Sequence, residues 1–260
     1  MPYLRPVRCV ALLVSILVTA TVSQAAVLYV LQDRSTFQDG CFAPCLCPVL
    51  ETDRLSGNFE LGLITVGDVF DLYAVDRVQW RADGPTVDRR ITGNGTYRLS
   101  TIIGQQDMTL DLTIDQNLPE HFTSGTVPTT VAFPEIDVTI SKNGVFCWDT
   151  VMDVLGQPTP RLSVETSSLI WDSGLEVVGY DVVAGNLRVL RATRGDFSVA
   201  TDACLADDLH DHTIPFSASP DPGEAFFVVV RAGKSTYDSG APSQIRSRDP
   251  GIAASPDSCP

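Results

Sequence analysis

The chain has 260 residues, 32 Asp and Glu against 18 Lys and Arg, and a formal charge of −14. So acidic a chain repels nucleic acid and anionic lipid, and its Arg residues are too scattered to form a basic stripe.

Arg5 and Arg8 precede an apolar stretch from Cys9 to Ala20, and Ser23-Gln24-Ala25 offers small residues at the −3 and −1 positions of a cleavage site. This is the layout of a secretory signal peptide over residues 1–25. The alternative is an uncleaved anchor, since apolar character runs on to Leu31, but Thr19, Thr21, Ser23 and Gln24 interrupt it. A membrane is expected as a partner only through this segment, if cleavage fails. Residues 1–25 hold two Arg and no acid, so removing them leaves 235 residues with a charge of −16.

Six of the seven cysteines follow that segment: Cys41, Cys45, Cys47, Cys147, Cys204 and Cys259. An even number in an exported chain is expected to form three disulfides. A Cys45–Cys47 bond would close a strained ring. Cys147 is therefore expected to pair with Cys45 or Cys47, and Cys41 with the other, pinning the N-terminal loop to the segment around Phe146–Trp148. A four-thiolate metal site would need a second close Cys pair, which is missing. No metal and no cofactor is expected.

In chain order, period-2 alternation dominates and helical periodicity is scarce. Residues 59–66, 69–80, 86–91 and 96–103 are strand candidates rich in β-branched and aromatic side chains. From Asp107 to Asp115 the alternation is cleanest: Met108, Leu110, Leu112 and Ile114 on one face, Asp107, Asp111 and Asp115 with two Thr on the other. That acidic face is expected to be solvated rather than a calcium site. Residues 136–141 and 145–154 follow. Asp39-Gly40, Asp83-Gly84, Gly93-Asn94-Gly95 and Asn143-Gly144 are expected turns. Asn94-Gly95-Thr96 fits a glycosylation acceptor but is taken as part of its hairpin. Residues 26–155 thus predict an antiparallel β domain, a sandwich or a barrel.

Gly156-Gln157-Pro158-Thr159-Pro160 has the composition of a linker. Residues 161–260 predict a second β domain with strands at 167–171, 177–183, 224–231 and 243–248, and one helical turn at 186–191 capped by Asn186. The overall class is all-β, two antiparallel domains after a signal peptide.

The second half resembles a fibronectin type III module, in the divergent form found at the C-terminal end of secreted bacterial proteins. The matching pieces are Leu169-Ile170-Trp171, Gly179-Tyr180-Asp181-Val182-Val183, the stretch from Pro222 through Phe226 to Arg231, and Ser239-Gly240-Ala241-Pro242-Ser243. The resemblance implies a sandwich acting as spacer or adhesion scaffold, without catalysis. Cys204 and Cys259 are additions to the family pattern, and would tie the middle connection to the C-terminal tail.

The remaining motifs carry little chemistry. His210-Asp211-His212 lacks a third and fourth metal ligand nearby. His121 stands alone. Arg194-Gly195-Asp196 spells the integrin tripeptide, but in the middle connection, and is read as a chance match. No nucleophile elbow, zinc-protease motif or P-loop occurs, so the chain is read as non-enzymatic. The functional expectation is an exported binding or structural protein of the bacterial envelope or exterior, with an envelope polysaccharide or a surface protein as partner. Two alternatives stand beside it. One is a lipocalin-like carrier of a small ligand in the first domain. The other is a secreted glycan-active enzyme with paired carboxylates. Tyr73, Trp80, Tyr97 and Trp148 are candidate sugar platforms, with burial in strands as the competing use.

Overall fold

The computed structural model describes residues 26–84, 88–172, 179–233, 235–241, 243–244 and 246–260. The expected export segment 1–25 lies outside them, as do residues 86–87 and 177–178 of two expected strands.

Ten strands make one sheet. They are β1 (Val27–Leu31), β2 (Thr36–Cys41), β3 (Leu50–Thr65), β4 (Asp71–Asp83), β5 (Asp88–Ser100), β6 (Gln105–Ile114), β7 (Glu120–Thr123), β8 (Val127–Pro128), β9 (Ile136–Ser141) and β10 (Trp148–Thr159). Antiparallel pairing runs from β3 through β4, β5, β6 and β7, meets β9 at Thr123–Ser141, and passes to β10. The last gap, between β10 and β3, is filled by two short strands laid end to end. β2 pairs Thr36 to Asp153 and to Arg54, whereas β1 pairs Leu28 to Thr159 and to Glu60. The sheet therefore closes on itself as a barrel, and closure removes exposed sheet edges.

Its interior is filled. Tyr29, Phe59, Tyr97, Met108, Leu110, Leu112, Phe122 and Met152 are each at most 1% exposed and belong to one apolar cluster. Phe59 is its hub, stacked on Tyr29 at 5.2 Å and edge-on to Trp80 at 6.1 Å between centroids. The alternation read from Asp107 to Asp115 is visible here, with Met108, Leu110 and Leu112 inside.

Three local expectations fail. Gly93-Asn94-Gly95 is not a hairpin but the middle of β5. A Cβ at Gly93 or Gly95 would lie 2.1 Å from the Asp111 carbonyl oxygen or 2.0 Å from that of Thr109, so glycine is needed for β5 to approach β6. Asp39-Gly40 likewise lies inside β2. The expected linker at 156–160 is also mostly strand: residues 156–159 pair with β1, and Gly156 packs beneath the Phe59 ring. Its Pro and Gly sit at a strand end, where a missing donor is tolerated. Asn143-Gly144 does turn the chain, with Gly144 at φ 71°.

The chain then builds two three-stranded sheets. One holds β11 (Leu162–Val164), β12 (Ser168–Trp171) and β15 (Thr213–Pro215), in the order β11-β12-β15. The other holds β13 (Tyr180–Asn186), β14 (Thr201–Leu209) and β16 (Phe226–Ala232), in the order β14-β13-β16. Leu169 and Trp171 meet Tyr180, Val182 and Val230 between the sheets. On the far side of β13, Val183 packs with Tyr237, Ile252 and Cys259. Helices are short: α1 (Leu187–Ala192), α2 (Phe197–Ala200) and α3 (Asp249–Ala254). Asn186 caps α1 by accepting from the N–H groups of Arg188 and Val189 at 2.8 and 3.1 Å. The expected strand at 243–248 does not form among its described residues. Side chains take over the ladder's bonds there: Asp238 accepts from the Arg248 N–H at 2.7 Å, and Gln244 from the Ser239 N–H at 2.8 Å.

The two units are tied together. Glu60 on β3 accepts from Arg77 at 2.9 Å and also from Arg161. Asn58 donates to the Ser239 carbonyl at 3.2 Å, and the backbone of Gly240 lies directly on Gly57. Among the described residues no helix is long and apolar enough to cross a membrane.

Candidate functional site

The six cysteines form Cys41–Cys47, Cys45–Cys147 and Cys204–Cys259. Three disulfides fit an oxidising, extracytoplasmic environment. Two of them sit at one end of the barrel. Cys41–Cys47 closes the loop between β2 and β3, and Cys45–Cys147 joins that loop to the one between β9 and β10.

A buried carboxylate organises the second loop. Asp149, 2% exposed, accepts backbone N–H bonds from Lys142, Asn143, Val145 and Thr150 at 2.8 to 3.1 Å. Val145 and Cys147 take left-handed backbone angles, φ 60° and 54°. Such angles are rare for a β-branched residue and persist only where surrounding bonds impose them. The outcome is an apolar tip: Leu46 is 102% exposed, Phe146 58%, Trp148 57%, with Val49, Leu50 and Val145 also exposed. From Gly40 to Leu50 the sequence carries no charge.

Beside the tip a cleft of about 330 Å³ opens, with Trp148 on its wall. Its polar groups are already arranged in pairs. Lys142 Nζ donates to Glu120 at 2.7 Å, the Thr150 hydroxyl to Asp39 at 2.9 Å, and the Asn143 amide to the Trp148 carbonyl at 3.1 Å. The Arg89 guanidinium lies 5.6 Å over the Phe37 ring. Ile114 and the exposed Asn117 complete the lining.

A second hollow, about 960 Å³, lies between the barrel and the second unit. Phe133, Pro134 and Pro158 line it together with Glu135, Asp207 and Asp208. Gly233 and Ser235 also line it.

The other sequence candidates are dispersed. Of the four aromatic platforms, Tyr73, Trp80 and Tyr97 are at most 9% exposed inside the barrel, and only Trp148 faces solvent. Asp107 is buried against Arg98 at 2.7 Å, contrary to a uniformly solvated face. Asp111 meets the exposed His121 at 2.9 Å, and Asp115 turns away to accept from the Arg90 N–H at 2.8 Å. His212 sets its ring edge-on to Tyr180 at 5.3 Å. Among the described residues no group of three or more His, Cys, Asp or Glu is placed to hold a metal. Arg194 and Gly195 form a left-handed turn, and Asp196 caps α2: it accepts from the Ser198 hydroxyl at 2.6 Å and from the Ser198 N–H at 3.0 Å, and these bonds, the hydroxyl's first, lower its pKa. Lys142, Glu120 and Asn117 escaped the sequence reading, because their only common property is position around the closed ring.

No protein-family model matches the chain, and neither a curated protein nor a solved structure matches it.

Proposed function

We propose that the chain is an exported, non-catalytic binding protein of the bacterial envelope or exterior, with the stapled end of the barrel as its recognition surface. One observation carries this reading. Six large apolar side chains stand exposed on a tip that two disulfides and a buried carboxylate hold rigid. Clustered exposed apolar surface marks interaction sites, and a rigid one loses little entropy on binding. The filled barrel interior speaks against a lipocalin-like carrier. Of the cleft's acids, Asp149 is spent on backbone N–H groups and Glu120 on Lys142, which speaks against a glycosidase pair.

In the same reading residues 161–260 are a fibronectin type III-like spacer. The order β11-β12-β15 facing β14-β13-β16 supports that resemblance, and a last strand does not form among the described residues of 239–248. β10 runs from the tip to the second unit in 12 residues, so the two lie up to about 40 Å apart along one strand.

The test is co-sedimentation of residues 26–260 with cell envelopes and insoluble polysaccharides, beside a variant carrying Leu46→Ser, Phe146→Ser and Trp148→Ser. The expected result is pelleting of the parent and its loss in the variant, with unchanged thermal unfolding. Pelleting that survives the triple substitution sinks the proposal.

A further inference from the structure

We infer that the cleft beside Trp148 is a subsite for a neutral saccharide, its ring face against the indole and its hydroxyl edge toward the paired polar groups. This rests on the reading of the stapled end as the recognition surface, and names the ligand class for it.

The argument begins with the distribution of polarity. A protein-binding hot spot has an apolar centre and a polar rim. Here the balance is reversed: the cleft is lined mainly by polar side chains, with Phe37, Ile114 and Trp148 as its apolar surface, and the other exposed apolar side chains of the tip stand outside it. A lipid surface fits no better, because it would bury the cleft's charged pairs without replacing their water. A sugar ring has the matching polarity, one C–H face and an edge of hydroxyls that both donate and accept. The indole offers a large flat surface at little entropic cost, and Trp148 is exposed on the cleft wall. Its backbone is fixed by the Asn143 amide and the adjacent Cys45–Cys147 bond.

Charge narrows the class. Three acids face two cations in the cleft, Lys142 is committed to Glu120, and Arg89 lies over Phe37 between Glu51 and Asp115 at 3.9 Å each. On a chain of charge −14 such a site does not attract a polyanion. Asn117, which makes no side-chain bond among the described residues, supplies an amide that can both donate and accept. The volume, about 330 Å³, sits at the small end of the about 300–1,000 Å³ typical of ligand pockets. The occupant is therefore a short segment of a chain rather than a long one.

The probes are soluble cello-, chito- and manno-oligosaccharides, titrated into residues 26–260 with tryptophan fluorescence and calorimetry as readouts. One of the three series is expected to bind saturably and to compete for pelleting. Trp148→Ala should weaken it at least about ten-fold, Trp148→Phe less, since stacking persists in reduced form. Ile102→Ser, an exposed apolar side chain between β5 and β6 that belongs to neither the tip nor the cleft, should leave this Kd unchanged. Binding that survives Trp148→Ala, or none by any series, overturns the saccharide subsite. If envelope pelleting still depends on the tip in that case, the recognition surface stands and only the ligand class is wrong. If pelleting is also indifferent to the tip, both readings fall.

Discussion

The interior of the barrel and its stapled end solve the same problem in opposite ways. Inside, Phe59, Tyr29 and Trp80 hold position by contact with one another, with no covalent link. At the tip, Leu46, Phe146 and Trp148 face water, and the chain beneath them is held by disulfides and by Asp149. Where apolar burial cannot fix a loop, crosslinks and a buried acceptor replace it. Rigidity and exposure then coexist, which a binding surface requires and a core does not.

The largest expected effect removes the longest crosslink. Cys45→Ser with Cys147→Ser opens a link across 102 residues, worth about 4–5 kcal/mol of loop entropy, against about 2 for the short Cys41–Cys47 loop. Denaturant melts of the two double variants should rank them in that order. Equal losses would mean that the tip acts through native-state strain rather than through the unfolded chain.

Next come two phenylalanines that differ only in place. Phe59→Ala should cost about 3–5 kcal/mol, as a large buried side chain does. Phe146→Ser should stay within about 0.5 kcal/mol, the usual range for a surface change. Paired thermal melts check this, and a comparable loss at Phe146 would put it in the core, not on a recognition surface.

The subtlest effect is in pH. Tyr29, Tyr73, Tyr97, Tyr180 and Tyr237 all have pKa values raised by burial. A raised folded pKa means that the folded state keeps its protons where the unfolded chain, titrating near pH 10, begins to lose them. The tyrosines' contribution is thus fully present below about pH 10 and lost as pH rises toward the folded values. Phenolate absorbance in residues 26–260 should therefore appear together with the loss of circular dichroism. A phenolate signal preceding unfolding would show that at least one of these rings is open to solvent.

Much of the local structure was legible in the residues. The alternation of Met108, Leu110 and Leu112 placed them inside, because a strand's side chains alternate whatever its partner. The Asn186 cap was equally legible, since capping is a contact over two or three residues. The glycines at 93 and 95 were not. Asn-Gly chemistry is that of a tight turn, but here the approach of β6, decided by pairing across the ring, makes the same residues strand. Composition misled at 156–160 for the same reason, since pairing with β1, more than a hundred residues earlier, overrides a local preference.

The sequence by itself determined the class: an all-β chain, strand faces set by period-2 patterning, and three disulfides from six cysteines. Only the tertiary structure decided that β1 and β2 share one place in a closed ring, that Cys147 joins Cys45, and that Trp80 is buried while Trp148 is exposed. Alternation tells which side chains share a face. Which strands meet, and so which face becomes interior, depends on register between distant segments, and no local pattern encodes it.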